Sequence, residues 1–137
     1  TLAEVEVKLV DKKAQSVLLD IHGNVSENKG GNVFLVSDGV LKTPSTSNCL
    51  AGVSRATVLE LARQLNIVCE ETSLQPYDLY TADEGFFTST PYCIMPATKF
   101  NGLVVGDGEV GAVTRKILTA WSDLVGVDIQ EQAELQL

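Results

Sequence analysis

The chain has 137 residues, 45% hydrophobic and 20% charged, proportions of one compact domain with a real core rather than a linker or a disordered tail. A formal net charge of -8 argues against nucleic-acid and anionic-membrane partners, which are gripped by clustered Lys and Arg, so any bound phosphate has to be held locally. Cys49, Cys69 and Cys93 are widely spaced with no CxxC pair, and His22 stands alone, so neither a disulfide framework nor a metal site is supported. The cysteines read as reduced, mostly buried thiols.

The elements follow in chain order. Leu2, Val5 and Leu9 recur at helical spacing until the polar "DKKAQ" ends the run, which gives the tail of a helix. "SVLLD" predicts a buried strand, "IHGN" a turn, and "VSE" a short strand that delivers Glu27 to its end. In "NVFLVSDGVLKTP" two β-rich runs meet at Asp38-Gly39, a two-residue hairpin signal. A helix is expected from about Ser54 to Gln64, with Val58, Leu61, Ala62 and Leu65 on one face, then a strand in "NIVCEETS" and a short helix in "QPYDLYTADE". "GFFTST" and "CIMPATKF" predict strands, Asn101-Gly102 a second hairpin turn, and "GAVTRKILTAWSDLVG" a last helix stopped by Gly126. Helices mixed with hairpins point to an α/β or α+β domain with a partly antiparallel sheet over residues 1–137. No apolar run is long enough to span a bilayer and no charged-then-apolar leader opens the chain, so a cytoplasmic protein is expected.

Three places could carry chemistry. The stretch "LAGVSR" opens a helix, and helix starts offer unpaired N–H groups and partial positive charge, so Gly52, Val53 and Ser54 could cradle a phosphate. The plainer alternative makes Ser54 an N-cap and Gly52 a turn residue. Glu27 precedes the flexible "NKGGN" and could face a cavity, or it could be a solvated strand-end carboxylate. "TADE" (Thr81 to Glu84) and "TSTPY" around Ser89 form a third cluster of hydroxyls and carboxylates, although Thr-rich strands are common without function. His22 in its turn reads as a surface residue, and Lys12 and Lys13 as decoration of a solvated loop.

Taken in order, "SENKGGNVFLVSDGVLKTP", "LAGVSRATVLELARQLNI" and "YDLYTADEGFFTSTPYCIMPATKFNG" resemble the C-terminal half of the class IV pyridoxal-phosphate aminotransferases, from about Ala3 to Trp121. That group includes branched-chain and D-amino acid aminotransferases and aminodeoxychorismate lyase, and the resemblance implies its fold type IV, a mixed sheet or pseudo-barrel flanked by helices. It puts Glu27 against the pyridine nitrogen of pyridoxal 5'-phosphate, where a carboxylate favours the protonated ring. Leu50 matches the aliphatic residue on the ring face. Gly52, Val53 and Ser54 match the helix start that holds the phosphate, Thr90 matches a hydroxyl that also reaches it, and Pro91 and Tyr92 fall at the substrate carboxylate.

The same resemblance implies an amino acid and a 2-oxo acid as substrates, most like the branched-chain type, and a homodimer. Ala51 stands where branched-chain enzymes often carry proline, which keeps D-amino acid aminotransferase and aminodeoxychorismate lyase open as rivals. The lysine that bonds the cofactor in this family lies well upstream of the matched glutamate, too far for this chain, and Lys8, Lys12 and Lys13 match no catalytic position. The expectation is therefore a C-terminal cofactor-binding domain without its N-terminal domain, and without turnover of its own. The alternative from another class is a non-catalytic remnant acting as a binding or assembly module.

Overall fold

The computed structural model of the chain describes residues 1–129 and 131. Helix α1 (Leu2–Val10) leads into an antiparallel pair, β1 (Val17–Leu19) and β2 (Val25–Asn28). Strands β3 (Asn32–Ser37) and β4 (Val40–Thr43) form the hairpin at Asp38-Gly39, whose φ values of 51° and 76° are those a two-residue turn of this kind requires. Helix α2 (Val53–Gln64) crosses over to β5 (Cys69–Glu71), which runs parallel to β4; a parallel pair needs such a crossover. Helix α3 (Pro76–Thr81), β6 (Glu84–Ser89), β7 (Cys93–Pro96), the small hairpin β8 (Lys99–Phe100) with β9 (Leu103–Val104), and helix α4 (Ala112–Val125) complete the described elements.

The main sheet has five strands in the order β5-β4-β3-β6-β7, antiparallel except for β4 with β5. Its central strand β3 is buried from Asn32 to Val36, which explains why "VFLV" is an unbroken apolar run instead of an alternating one. One face of the sheet, with Phe34 and Phe86 stacked at 5.0 Å, packs on Val58, Leu61 and Ala62 of α2 and on Ile117, Leu118 and Trp121 of α4. The opposite face carries Val33, Leu35 and Phe87 against Val25, Leu74, Leu79, Phe100 and Val105.

Four expectations shift. Strand β1, expected to be buried, is half-buried with Leu19 exposed, because it lies in a two-stranded sheet outside the main one. Helix α2 starts at Val53, its N-cap is Gly52, and Ser54 lies inside the first turn and does not cap it. Leu65 is the C-cap and is exposed, because the helix has ended before its side chain can reach the sheet. The three cysteines are free but half-buried, and burial pushes all three thiols above their ordinary value.

Candidate active site

The predicted residues converge at the end of the sheet where β3 begins and β6 ends. Register places Asn32 opposite Thr88, so the β2–β3 loop passes beside the last residues of β6. The approach is close: a Cβ on Gly31 would lie 1.6 Å from the Thr88 carbonyl oxygen, so no other residue fits there. Thr90, Pro91 and Tyr92 form the turn between β6 and β7 and continue from this point.

Glu27 on β2 turns its half-buried carboxylate toward the loop before α2, where Oε2 accepts a hydrogen bond from the Leu50 N–H at 3.0 Å. Among the described residues nothing donates to its Oε1. The Leu50 carbonyl accepts from the Gly52 N–H at 3.0 Å and from Asn32 Nδ2 at 2.8 Å, and the Ser26 hydroxyl donates to the Asn48 carbonyl. The loop over residues 48–52 is thereby stapled to β2 and to the head of β3.

Helix α2 then begins with no side chain capping it. Its first-turn N–H groups at Val53, Ser54 and Arg55 have no intrahelical acceptor, which leaves an uncapped positive helix end. Among the described residues the hydroxyls of Ser54 and Thr90 form no hydrogen bond either. Leu50 and Val53, on each side of the uncapped helix start, are 76% and 83% exposed. Thr88, buried one step below Thr90, keeps an unpartnered Oγ1.

Other candidates prove structural. Glu84 is buried and accepts from the N–H groups of Val113 and Thr114 at 3.1 and 2.9 Å and from the Thr114 hydroxyl at 2.8 Å, so it caps α4 from a distant strand. Arg55 points away from the helix start: buried, it donates to the Pro44 carbonyl at 3.0 Å and pairs with Glu71, tying α2 to β4 and β5. Lys8 Nζ is held by the carbonyls of Lys12 and Ala14 at 2.8 and 2.9 Å at the end of α1, and His22 is exposed in its turn. A cavity of about 660 Å³ between α1, β1, α3 and β7 is lined by none of the predicted site residues.

The amino-transferase class IV family profile matches residues 4–100, most of the chain and the stretch from Glu27 to Tyr92. The chain belongs to the class IV aminotransferases. A branched-chain-amino-acid aminotransferase from Pseudomonas aeruginosa is 37% identical over 120 residues, which are 88% of this chain and 39% of the relative. The structure of the branched-chain amino acid aminotransferase from Escherichia coli superposes with a TM-score of 0.80 at 34% identity, covering 91% of this chain and 43% of that one. For the T.th. branched-chain amino acid aminotransferase complexed with N-(5'-phosphopyridoxyl)-L-glutamate the TM-score is 0.84 at 30% identity, over 91% and 42%. The fold is thus that of the fold type IV aminotransferases, and the chain spans about two fifths of the length of these relatives. Among the described residues no helix is long and apolar enough to cross a membrane.

Sequence reasoning missed Asn32, whose one signal is an amide at the head of a strand that is otherwise wholly apolar.

Proposed function

We propose that this chain is the cofactor-binding part of a pyridoxal-phosphate-dependent transaminase that moves an amino group between an amino acid, of the branched-chain type, and a 2-oxo acid. The observation that carries the reading is one juxtaposition: a carboxylate with a free oxygen, an exposed leucine and an uncapped helix start sit side by side, joined through the Leu50 peptide groups. These residues fit a flat, anionic ring. When bound, the cofactor supplies an electron-withdrawing ring that takes up the electrons released as the substrate loses its α-proton.

The chain's own residues supply the setting. Glu27 Oε1 would hold a proton on the ring nitrogen, since a carboxylate there favours the positively charged form. Leu50 would pack on the ring face and shed its exposure. The N–H groups of Val53 and Ser54, with the hydroxyls of Ser54 and Thr90, would bind the phosphate through helix dipole and hydrogen bonds, which is how a chain of net charge -8 can hold a dianion without lysine. Pro91 and Tyr92 would flank the substrate carboxylate.

No lysine of this chain occupies the family's covalent position, so the reading places that lysine, and the rest of the substrate pocket, in an N-terminal part of a longer cytoplasmic homodimer. The apolar residues of α1, none of them buried, suit a surface that such a part covers. The test is leucine and 2-oxoglutarate turnover by a polypeptide that carries this chain with its upstream coding sequence. Turnover that collapses in Glu27→Gln while cofactor binding persists supports the reading. Undiminished turnover in that variant, or no upstream domain with a suitable lysine, removes it in favour of a non-catalytic binding or assembly module.

A further inference from the structure

We propose that Asn32 is a positioning residue for this site: by holding the Leu50 carbonyl it keeps the Leu50 N–H on Oε2 of Glu27 and so leaves Oε1 as the single free carboxylate oxygen. The inference rests on the cofactor reading for its purpose, but its geometry stands without it.

The chain of contacts is short. Asn32 is the first residue of the central strand and is buried, so its amide cannot turn to water and must be paired where it stands. It donates through Nδ2 to the Leu50 carbonyl at 2.8 Å. That carbonyl also accepts from the Gly52 N–H, closing a tight three-residue turn over residues 50–52. On the other side of the same residue the Leu50 N–H donates to Glu27. Leu50 is therefore clamped at both its polar backbone atoms, by an amide from β3 and a carboxylate from β2, while its side chain stays 76% exposed.

Such an arrangement couples three things a ring-binding site needs. It fixes which carboxylate oxygen is free, the height of the leucine side chain, and the direction in which α2 begins, because Gly52 is both the end of the turn and the N-cap. Gly52 also shows how tight the clamp is. A Cβ there would lie 2.4 Å from Asn32 Oδ1, although its φ of -66° suits any residue. An alanine at this position would displace the Asn32 amide with no backbone strain of its own. A purely structural asparagine would need a hydrogen bond to something; only a positioning one needs this particular carbonyl, whose residue holds Glu27.

The experiment uses the isotopically labelled chain. The Leu50 amide resonance is followed by NMR as pH is lowered through the carboxylate range, in the native chain, Glu27→Gln, Asn32→Ala and Gly52→Ala. An amide that donates to a carboxylate shifts when that carboxylate is protonated, so the native Leu50 signal should move and the signal in Glu27→Gln should not. In Asn32→Ala and Gly52→Ala the displacement should fall below about half, as the bond to Oε2 weakens, with the amides of Val33 to Val36 unmoved. Should Asn32→Ala fail to fold, Gly52→Ala, which leaves the asparagine in place, carries the test.

Pyridoxamine phosphate is then added to each folded variant. Its Kd should rise about fivefold or more in both clamp variants, the size of one lost hydrogen bond. A native Leu50 signal that ignores pH, or clamp variants that keep its full displacement or the native Kd, overturn the proposal. If the clamp variants lose the displacement as expected while even the native chain binds no pyridoxamine phosphate, the cofactor reading fails and the geometry of the clamp survives it.

Discussion

Replacing Glu84 by glutamine tests how the far end of the sheet holds helix α4. The native carboxylate accepts three hydrogen bonds, Oε1 from the Thr114 N–H and hydroxyl and Oε2 from the Val113 N–H, and it puts a negative charge at the start of a 14-residue helix. In Glu84→Gln the amide oxygen can keep the Thr114 pair, but the amino group then meets the Val113 N–H, two donors facing each other. One charge-assisted bond is lost, at about 1.5–3 kcal/mol, and so is the charge at the helix end, at about 0.3–1 kcal/mol. The sum, about 2–4 kcal/mol, is a large share of the stability of an ordinary domain. Trp121 is the chain's one tryptophan and lies buried in α4, so its fluorescence reports the affected helix directly during urea unfolding. With a urea m value of about 2 kcal/mol/M the midpoint should fall by roughly 1–2 M at unchanged slope. A loss under about 1 kcal/mol would show that solvent or another acceptor satisfies α4, and would refute the account of Glu84 as its cap.

Other outcomes follow from the same structure. Because burial raises the thiols of Cys49, Cys69 and Cys93, and the thiolate is the nucleophile, all three should react with iodoacetamide at pH 8 more slowly than a free cysteine and accelerate at higher pH than it does; equal rates at any one would contradict its burial. The exposed Leu2, Val5 and Leu9 of α1 should drive self-association, seen by light scattering, and a monomer at high concentration would count against it. If Pro91 flanks the substrate carboxylate as proposed, Pro91→Ala in a polypeptide carrying this chain with its upstream coding sequence restores a backbone N–H there and should lower KM for an L-branched amino acid; unchanged or poorer kinetics on leucine, valine and D-alanine would end that assignment.

Much of the fold was legible because its signals are local. Positive φ at Asp38-Gly39 and Asn101-Gly102, and the left-handed Gly126 that ends α4, follow from residue chemistry at the turn itself. The candidate site residues Glu27, Leu50 and Ser54 were nominated by the order of motifs, and the contact between Glu27 and the Leu50 N–H brings two of those motifs together. What stayed hidden depends on partners far along the chain. Glu84 looked like one of a polar cluster until α4 arrived on it from 30 residues away, and nothing in the sequence pairs Arg55 at the helix start with Glu71, 16 residues on. Asn32 gave a faint sign, a polar residue opening a buried strand, but the carbonyl it serves lies 18 residues downstream.

The account turns on where a pyridoxal-type ring and its phosphate settle on this chain. Pyridoxamine phosphate needs no lysine to bind, so its titration into the labelled chain, read by amide NMR, maps the site directly. The account predicts shifts confined to Glu27, Leu50, Val53, Ser54 and Thr90, with those at Leu50 altered in Glu27→Gln. Shifts centred on Val17, Met95 and Phe100, which line the cavity of about 660 Å³, or no shifts at all at millimolar ligand, would contradict it.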